Sequence, residues 1–112
     1  MNKIGREAED RALSWLLRQG LVLVERNWRC RGGELDLVMR DAGVWVFVEV
    51  RHRGDSRFGG AAESLTRAKL ARLQHAATLY MQGKGLFDAH CRFDAVLSRG
   101  DGGLDWIKNF LA

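Results

Sequence analysis

Cysteine is scarce in this chain. Only Cys30 and Cys91 occur in 112 residues, far apart and with neither a C-x-x-C spacing nor a neighbouring histidine set. That excludes a disulfide framework and a cysteine-rich zinc site, and predicts two reduced, half-buried thiols. Long apolar runs are absent as well: none approaches the roughly 20 residues that a bilayer-spanning helix needs. Met1–Glu7 leads straight into charged sequence without an apolar signal core, so the expectation is a cytoplasmic protein with no membrane partner. Internal repeats, low-complexity tracts and linkers are also missing. Residues 1–112 are therefore expected to form a single domain around one modest core.

What is present is an ordinary globular composition, 46% hydrophobic and 29% charged, with 18 Lys+Arg against 14 Asp+Glu and a net charge of +4. A basic surplus suits a polyanionic partner such as nucleic acid, and equally a solvated basic face that maintains solubility. Its placement says more than its size. Arg29, Arg31, Arg51, His52, Arg53 and Arg57 crowd around an acidic pair of strands.

The elements follow from periodicity and stops. Ile4, Ala8, Ala12, Trp15 and Leu16 recur at helical spacing across Lys3–Arg18, with Gly20 behind them as a stop. Leu21–Glu25 reads as a short strand, and Asn27–Gly33 as a basic connection. Glu34–Arg40 and Val44–Arg53 are β-rich runs around the turn Asp41-Ala42-Gly43, an antiparallel hairpin. The glycine-rich polar stretch Arg53–Gly60 reads as a mobile loop, placed as a substrate flap. Thr66 caps a second helix that runs to about Gln82, with Leu70, Leu73, Ala77 and Tyr80 inward and Gly83 as its stop. Arg92–Ser98 and Leu104–Asn109 complete the set as strands. The fold class implied is α/β, a mixed central sheet flanked by helices in the order αβββαββ.

Two carboxylates interrupt strands otherwise built for burial: Asp36 between Leu35 and Leu37, and Glu49 between Val48 and Val50. Buried carboxylates need a cation or a proton, and two close together need one more strongly. They share a side if the turn has an even number of residues, two or four; three would put them on opposite faces. The period of two also places Glu49, Arg51 and Arg53 on one side. Asp36, Glu49 and the Val50 backbone carbonyl form a donor set that Mg²⁺ or Mn²⁺ accepts, with arginines beside it for phosphate. The competing reading is a pair of strand ion pairs, with Arg51 and Arg40 as partners. His52 points to the other face, His75 and His90 have no partner in sequence, Trp45 reads as core, and Asp94 as an anchor for Arg or backbone groups of the last strands.

The motifs Gly5-x-x-x-Glu9-x-x-Ala12, Gly33-Glu34-Leu35-Asp36-Leu37, Phe47-Val48-Glu49-Val50-Arg51-x-Arg53, Phe58-Gly59, Lys69 and Arg92-Phe93-Asp94 together resemble the YraN family of small bacterial proteins. That family is assigned to the PD-(D/E)XK, restriction-endonuclease-like superfamily, and its core is similar to that of archaeal Holliday-junction resolvases. The resemblance implies Asp36 and Glu49 as metal-binding acids and Glu9 as an acid supplied by the first helix; without it, Glu9 reads equally as an exposed carboxylate pairing with Arg6 or Arg11. Arg51 departs from the family's superfamily pattern, which has lysine there. Arginine has too high a pKa for a general base but can hold phosphate and stabilise charge. Lys69 on the second helix reads either as a solvated face or as an ammonium lent to the hairpin.

The functional expectation is a nucleic-acid-binding, metal-dependent endonuclease acting on structured or branched DNA. Its catalytic residues are Glu9, Asp36, Glu49 and Arg51, with backbone phosphates held by Arg29, Arg31, Arg51, Arg53, Arg57 and Lys69. Two alternatives stand beside it: a non-catalytic nucleic-acid module that keeps the fold, and a protein-interaction module. Analogy with resolvases adds the expectation of a homodimer.

Overall fold

The computed structural model describes residues 3–52 and 65–111, and its elements follow the expected αβββαββ order. Helix α1 spans Lys3–Arg18, strands β1 to β3 span Val22–Cys30, Gly33–Asp41 and Val44–His52, helix α2 spans Arg67–Gly83, and β4 and β5 span Cys91–Ser98 and Leu104–Ile107. The stretch expected as a substrate flap, with Arg53, Arg57 and Phe58, lies outside the described residues.

Both helices end by the same backbone device. Gly20 adopts φ 97°, its N–H bonds to Leu17 O, and the Leu21 N–H reaches back to Leu16 O. That double bond is a Schellman stop, and its apolar partners Leu16 and Leu21 meet in one buried cluster. In α2, Gly83 is the last helical residue rather than the stop. The left-handed position falls two residues later at Gly85, φ 69°, with Leu86 N–H bonded to Met81 O. At the other end the Thr66 hydroxyl accepts from the Lys69 amide at 3.3 Å, as a capping residue should.

The sheet runs β1-β2-β3-β4-β5, antiparallel except for the parallel pair β3 and β4, whose crossover carries α2. Alternation along β3 divides the core. Val46, Val48 and Val50 pack with Ala8, Ala12 and Leu16 of α1, while Trp45 and Phe47 pack with Leu73, Ala76, Ala77 and Tyr80 of α2. Glu49 and Arg51 continue the α2-facing series. Trp45 is core, as its setting in the sequence implied. Ile4, in contrast, stays exposed at the start of the α1 stripe, and Cys91 is exposed rather than half-buried.

β1 is longer than its apolar run. The segment expected as a connection continues the strand to Cys30, leaving only Arg31 and Gly32 as the turn into β2. Backbone pairing, rather than hydrophobicity, carries it: Arg26, Trp28 and Arg29 face Leu37, Leu35 and Glu34 in the ladder. Trp28 also packs edge-on against Tyr80, 5.3 Å between ring centres. An extra residue at Val24 shifts the register, and Asn27 takes a left-handed φ of 53°, so this edge strand is bent.

Asp94 is the fully buried anchor that its sequence setting suggested. It accepts from Arg92 Nε (3.0 Å), Trp106 Nε1 (3.0 Å) and the Asn109 amide (2.9 Å). Arg92 also reaches Asp41 at 3.0 Å, tying β4 to the hairpin turn.

Gly33 sets how closely α2 approaches the sheet. A Cβ there would lie 2.5 Å from the Arg72 carbonyl oxygen and 3.2 Å from Ala76 Cβ, so any side chain must push the helix away. A Gly33→Ala variant is expected to lose roughly 1–3 kcal/mol of stability, as overpacked contacts do. Urea denaturation measures this; a midpoint equal to that of the parent chain would show that α2 has room to move.

Candidate active site

The turn between β2 and β3 consists of Ala42 and Gly43 alone. Asp41 pairs with Val44 and the ladder runs in step to Leu37 opposite Val48. One further step sets Asp36 opposite Glu49, so the even-turn condition is met. There the backbone ladder yields to a side chain: the Val50 N–H donates to Asp36 Oδ2 at 2.9 Å. The alternation also breaks at this point, because Leu35 packs with the α2 cluster although Leu37 and Met39 pack with α1.

Asp36 and Glu49 retain only 8% and 6% exposure. Loss of hydration is the main force on both, and it favours the protonated forms. Asp36 is pushed up to about 6 by burial and by the nearby charges of Glu9 and Glu34, against the Val50 hydrogen bond and the Arg51 charge. Glu49 rises to about 8 through burial, the charge of Asp36 and a hydrogen bond shared with it, opposed by Arg51. The two therefore titrate as a pair that favours holding a proton or an external cation.

Arg51 pairs its guanidinium with Glu49, which realises one half of the strand ion-pair reading. The other half is absent, because Arg40 lies over the Trp45 ring, 4.8 Å from its centre. Arg51 Nε is buried without a hydrogen-bond partner among the described residues. Glu9 is buried rather than exposed, and its partner is neither Arg6 nor Arg11. Arg26 of β1 holds it at 3.0 Å and binds Asp10 at 2.7 Å. No group of three His, Cys, Asp or Glu residues close enough to ligate one metal ion occurs among the described residues.

Glu49 and Arg51 line a cleft of about 590 Å³ with Arg29, Glu34, Lys69 and Arg72. Lys69 thus faces the hairpin cleft from the first turn of α2, the arrangement that the sequence left open. Val50 meets Asp36 through its N–H. The Arg31 carbonyl lies 3.3 Å from the His75 ring, and Arg31 is not a cleft residue. Arg53 and Arg57 lie outside the described residues. His52 is exposed, with Nδ1 3.3 Å from the buried Ser98 hydroxyl, which Arg11 also binds. Sequence reasoning did not single out Arg26 as the partner of Glu9; its sole signal was an arginine between the short strand Leu21–Glu25 and the basic connection that begins at Asn27.

The raised carboxyl values carry a sign. The folded chain holds protons that the unfolded chain releases near the ordinary carboxylate range, so this contribution to stability is present in acid. It is lost progressively above the ordinary carboxylate range, and the loss is complete once pH has passed about 6 for Asp36 and about 8 for Glu49. A Glu49→Gln variant should therefore exceed the parent chain in metal-free stability at high pH, by at least roughly 1 kcal/mol near pH 8. The gap should close towards pH 5. Thermal unfolding across that range checks it, and parallel pH profiles for the two proteins would contradict the assignment.

Residues 8–97 match the uncharacterised protein family UPF0102. Similar proteins, each called "UPF0102 protein", come from Dechloromonas aromatica (55% identical over 94% of this chain and 85% of the relative) and Pseudomonas entomophila (52%, over 94% and 89%). One from Shewanella loihica is 50% identical over 94% of this chain and 90% of its own length. With the family pattern covering the segment that holds Glu9, Asp36, Glu49, Arg51 and Lys69, the chain belongs to the UPF0102 family.

Proposed function

We propose that this protein is a nucleic-acid-binding, metal-dependent phosphodiester hydrolase of the PD-(D/E)XK type, acting on structured or branched DNA. The observation that carries the reading is the facing pair Asp36 and Glu49, buried where Glu49 opens onto a cleft with Arg51 and Lys69. The donor set fits a hard divalent cation such as Mg²⁺ or Mn²⁺: anionic oxygens whose burial leaves them short of positive charge. Asp36 and Glu49 would hold it, with the Val50 carbonyl as the further oxygen donor. When bound, such an ion supplies activated water and charge neutralisation at phosphate.

The chain's own residues do the rest of the work in this reading. Asp36 is fixed by the Val50 amide, so its second oxygen has a defined direction. Arg51 keeps a free buried Nε–H and suits a phosphate oxygen, while its high pKa removes it as a proton acceptor. Lys69 adds an ammonium from the opposite wall. Glu9 acts on the pair through its charge on Asp36, while Arg26 holds its carboxylate. Homodimerisation, which would match paired strands of a junction, belongs to the same proposal, and light scattering with and without DNA tests it.

A second reading is favoured by one contact. The Arg51 guanidinium already sits on Glu49, in the role of an internal cation, which suits a nucleic-acid-binding module that keeps the site and has lost turnover. Incubating branched and linear DNA with the protein and Mg²⁺ or Mn²⁺ separates the two. Hydrolysis should fall at least about a hundredfold in Asp36→Ala, and cleavage no greater than in that variant would sink the hydrolase. Under the hydrolase reading Arg51→Lys lowers cleavage; a gain of metal-dependent cleavage in Arg51→Lys supports the degenerate site.

A further inference from the structure

Three sides of the cleft carry arginine or lysine, but their charges are not equally available. On the β1–β2 side, Arg29 Nε lies 3.3 Å from Glu34. On the floor, Arg51 is paired with Glu49. Away from the cleft, Arg26 is held by Glu9 and Asp10, Arg92 by Asp41 and Asp94, and Arg99 by Asp101 and Asp105. The α2 side differs. Helix α2 contains no Asp or Glu in its 17 residues, whereas α1 carries Glu7, Glu9 and Asp10. Lys69 and Arg72, both lining the cleft, have no acidic partner among the described residues.

The position of that wall is fixed. Gly33 lets the α2 backbone at Arg72 come against the start of β2, and the His75 ring sits by the Arg31 carbonyl. The cations at 69 and 72, one turn apart, therefore stand on a rigid element at the rim of the acidic pair. The described lining also contains no aromatic side chain. Trp28, beside Arg29 in β1, and Trp45 of β3 pack against Tyr80 instead. Recognition of unpaired bases relies on such stacking surfaces.

We infer that Lys69 and Arg72 form the phosphate-holding wall of the cleft, gripping the backbone of duplex DNA without reading its bases, in preference to the arginines of the β1–β2 turn. The inference rests on the nucleic-acid reading above and assigns the contact surface within it. Phosphate contacts of this kind release counterions and make affinity fall with salt in proportion to their number. Arg29 contributes less, because Glu34 beside it offsets its field.

Binding of the full chain to a short fluorescein-labelled duplex, followed by anisotropy in EDTA so that no strand is cut, tests this apart from hydrolysis. Lys69→Gln combined with Arg72→Gln is expected to weaken binding about tenfold at low salt and to reduce the salt slope by about two phosphate contacts. Arg72→Lys, which keeps the charge, should retain the slope, and Arg29→Gln should change affinity less than Arg72→Gln. Circular dichroism on each variant verifies that α2 is intact. Equal duplex binding by parent and double variant overturns the α2 wall and leaves the acidic site standing, as does an Arg29→Gln loss matching that of the double variant. Tighter binding to the single strand than to the duplex overturns the backbone-only recognition. If the parent chain binds neither form, the nucleic-acid reading itself falls, and the wall with it.

Discussion

A two-residue turn at Ala42 and Gly43 sets the phase of the whole sheet. Because side chains alternate with a period of two, that turn decides which residues of β2 and β3 meet α1 and which meet α2. One residue more in the turn would send Glu49 and Arg51 to the α1 side and put Val48 and Val50 in their place. The cost of that inversion is large, since it would bury charge among Ala8, Ala12 and Leu16 while removing the valines that fill that layer. Ala42 accepts a left-handed φ of 55° to hold this phase, a strain that the packed valine layer offsets.

Buried acids are handled in two ways here. Asp94 is surrounded by donors from Arg92, Trp106 and the Asn109 backbone, so its charge is answered within the protein and ties the C-terminal strands to the hairpin. Glu9 is answered by Arg26 in the same manner. Asp36 and Glu49 share one guanidinium and one backbone amide between them, and burial raises the proton affinity of both, with Asp36 raising that of Glu49 further. A structural pair would be expected to acquire partners as Asp94 does. The shortfall of positive charge is local to the one pair that opens on a cleft, and this contrast favours a binding role over a purely structural one.

Much of the architecture was legible because it rests on local signals. Apolar spacing with a glycine stop defined α1, Thr66 opened α2, and the Asp41–Val44 turn gave the hairpin. The facing of Asp36 and Glu49 was legible only as a condition, since parity cannot be fixed until the turn length is. What escaped depends on tertiary partners. β1 runs through Arg26, Asn27 and Arg29 because β2 offers it a ladder, which no hydrophobic pattern records. The pairing of Glu9 with Arg26 joins a helix to that unrecognised piece of strand, and Lys69 reaches the cleft only because Gly33 lets α2 settle close.

The bend in β1 has a consequence for colloidal behaviour. β1 is one border of the sheet, with Val22 and Val24 exposed along it, and a flat border of that kind is a template on which other chains aggregate. The extra residue at Val24 and the left-handed Asn27 interrupt the regular row of amides and carbonyls that an incoming strand would need. The opposite border, β5, is only four residues long. Both margins of the sheet are thus poor seeds for cross-β stacking, and copies of this chain that associate must do so through side-chain surfaces rather than by lengthening one another's sheet.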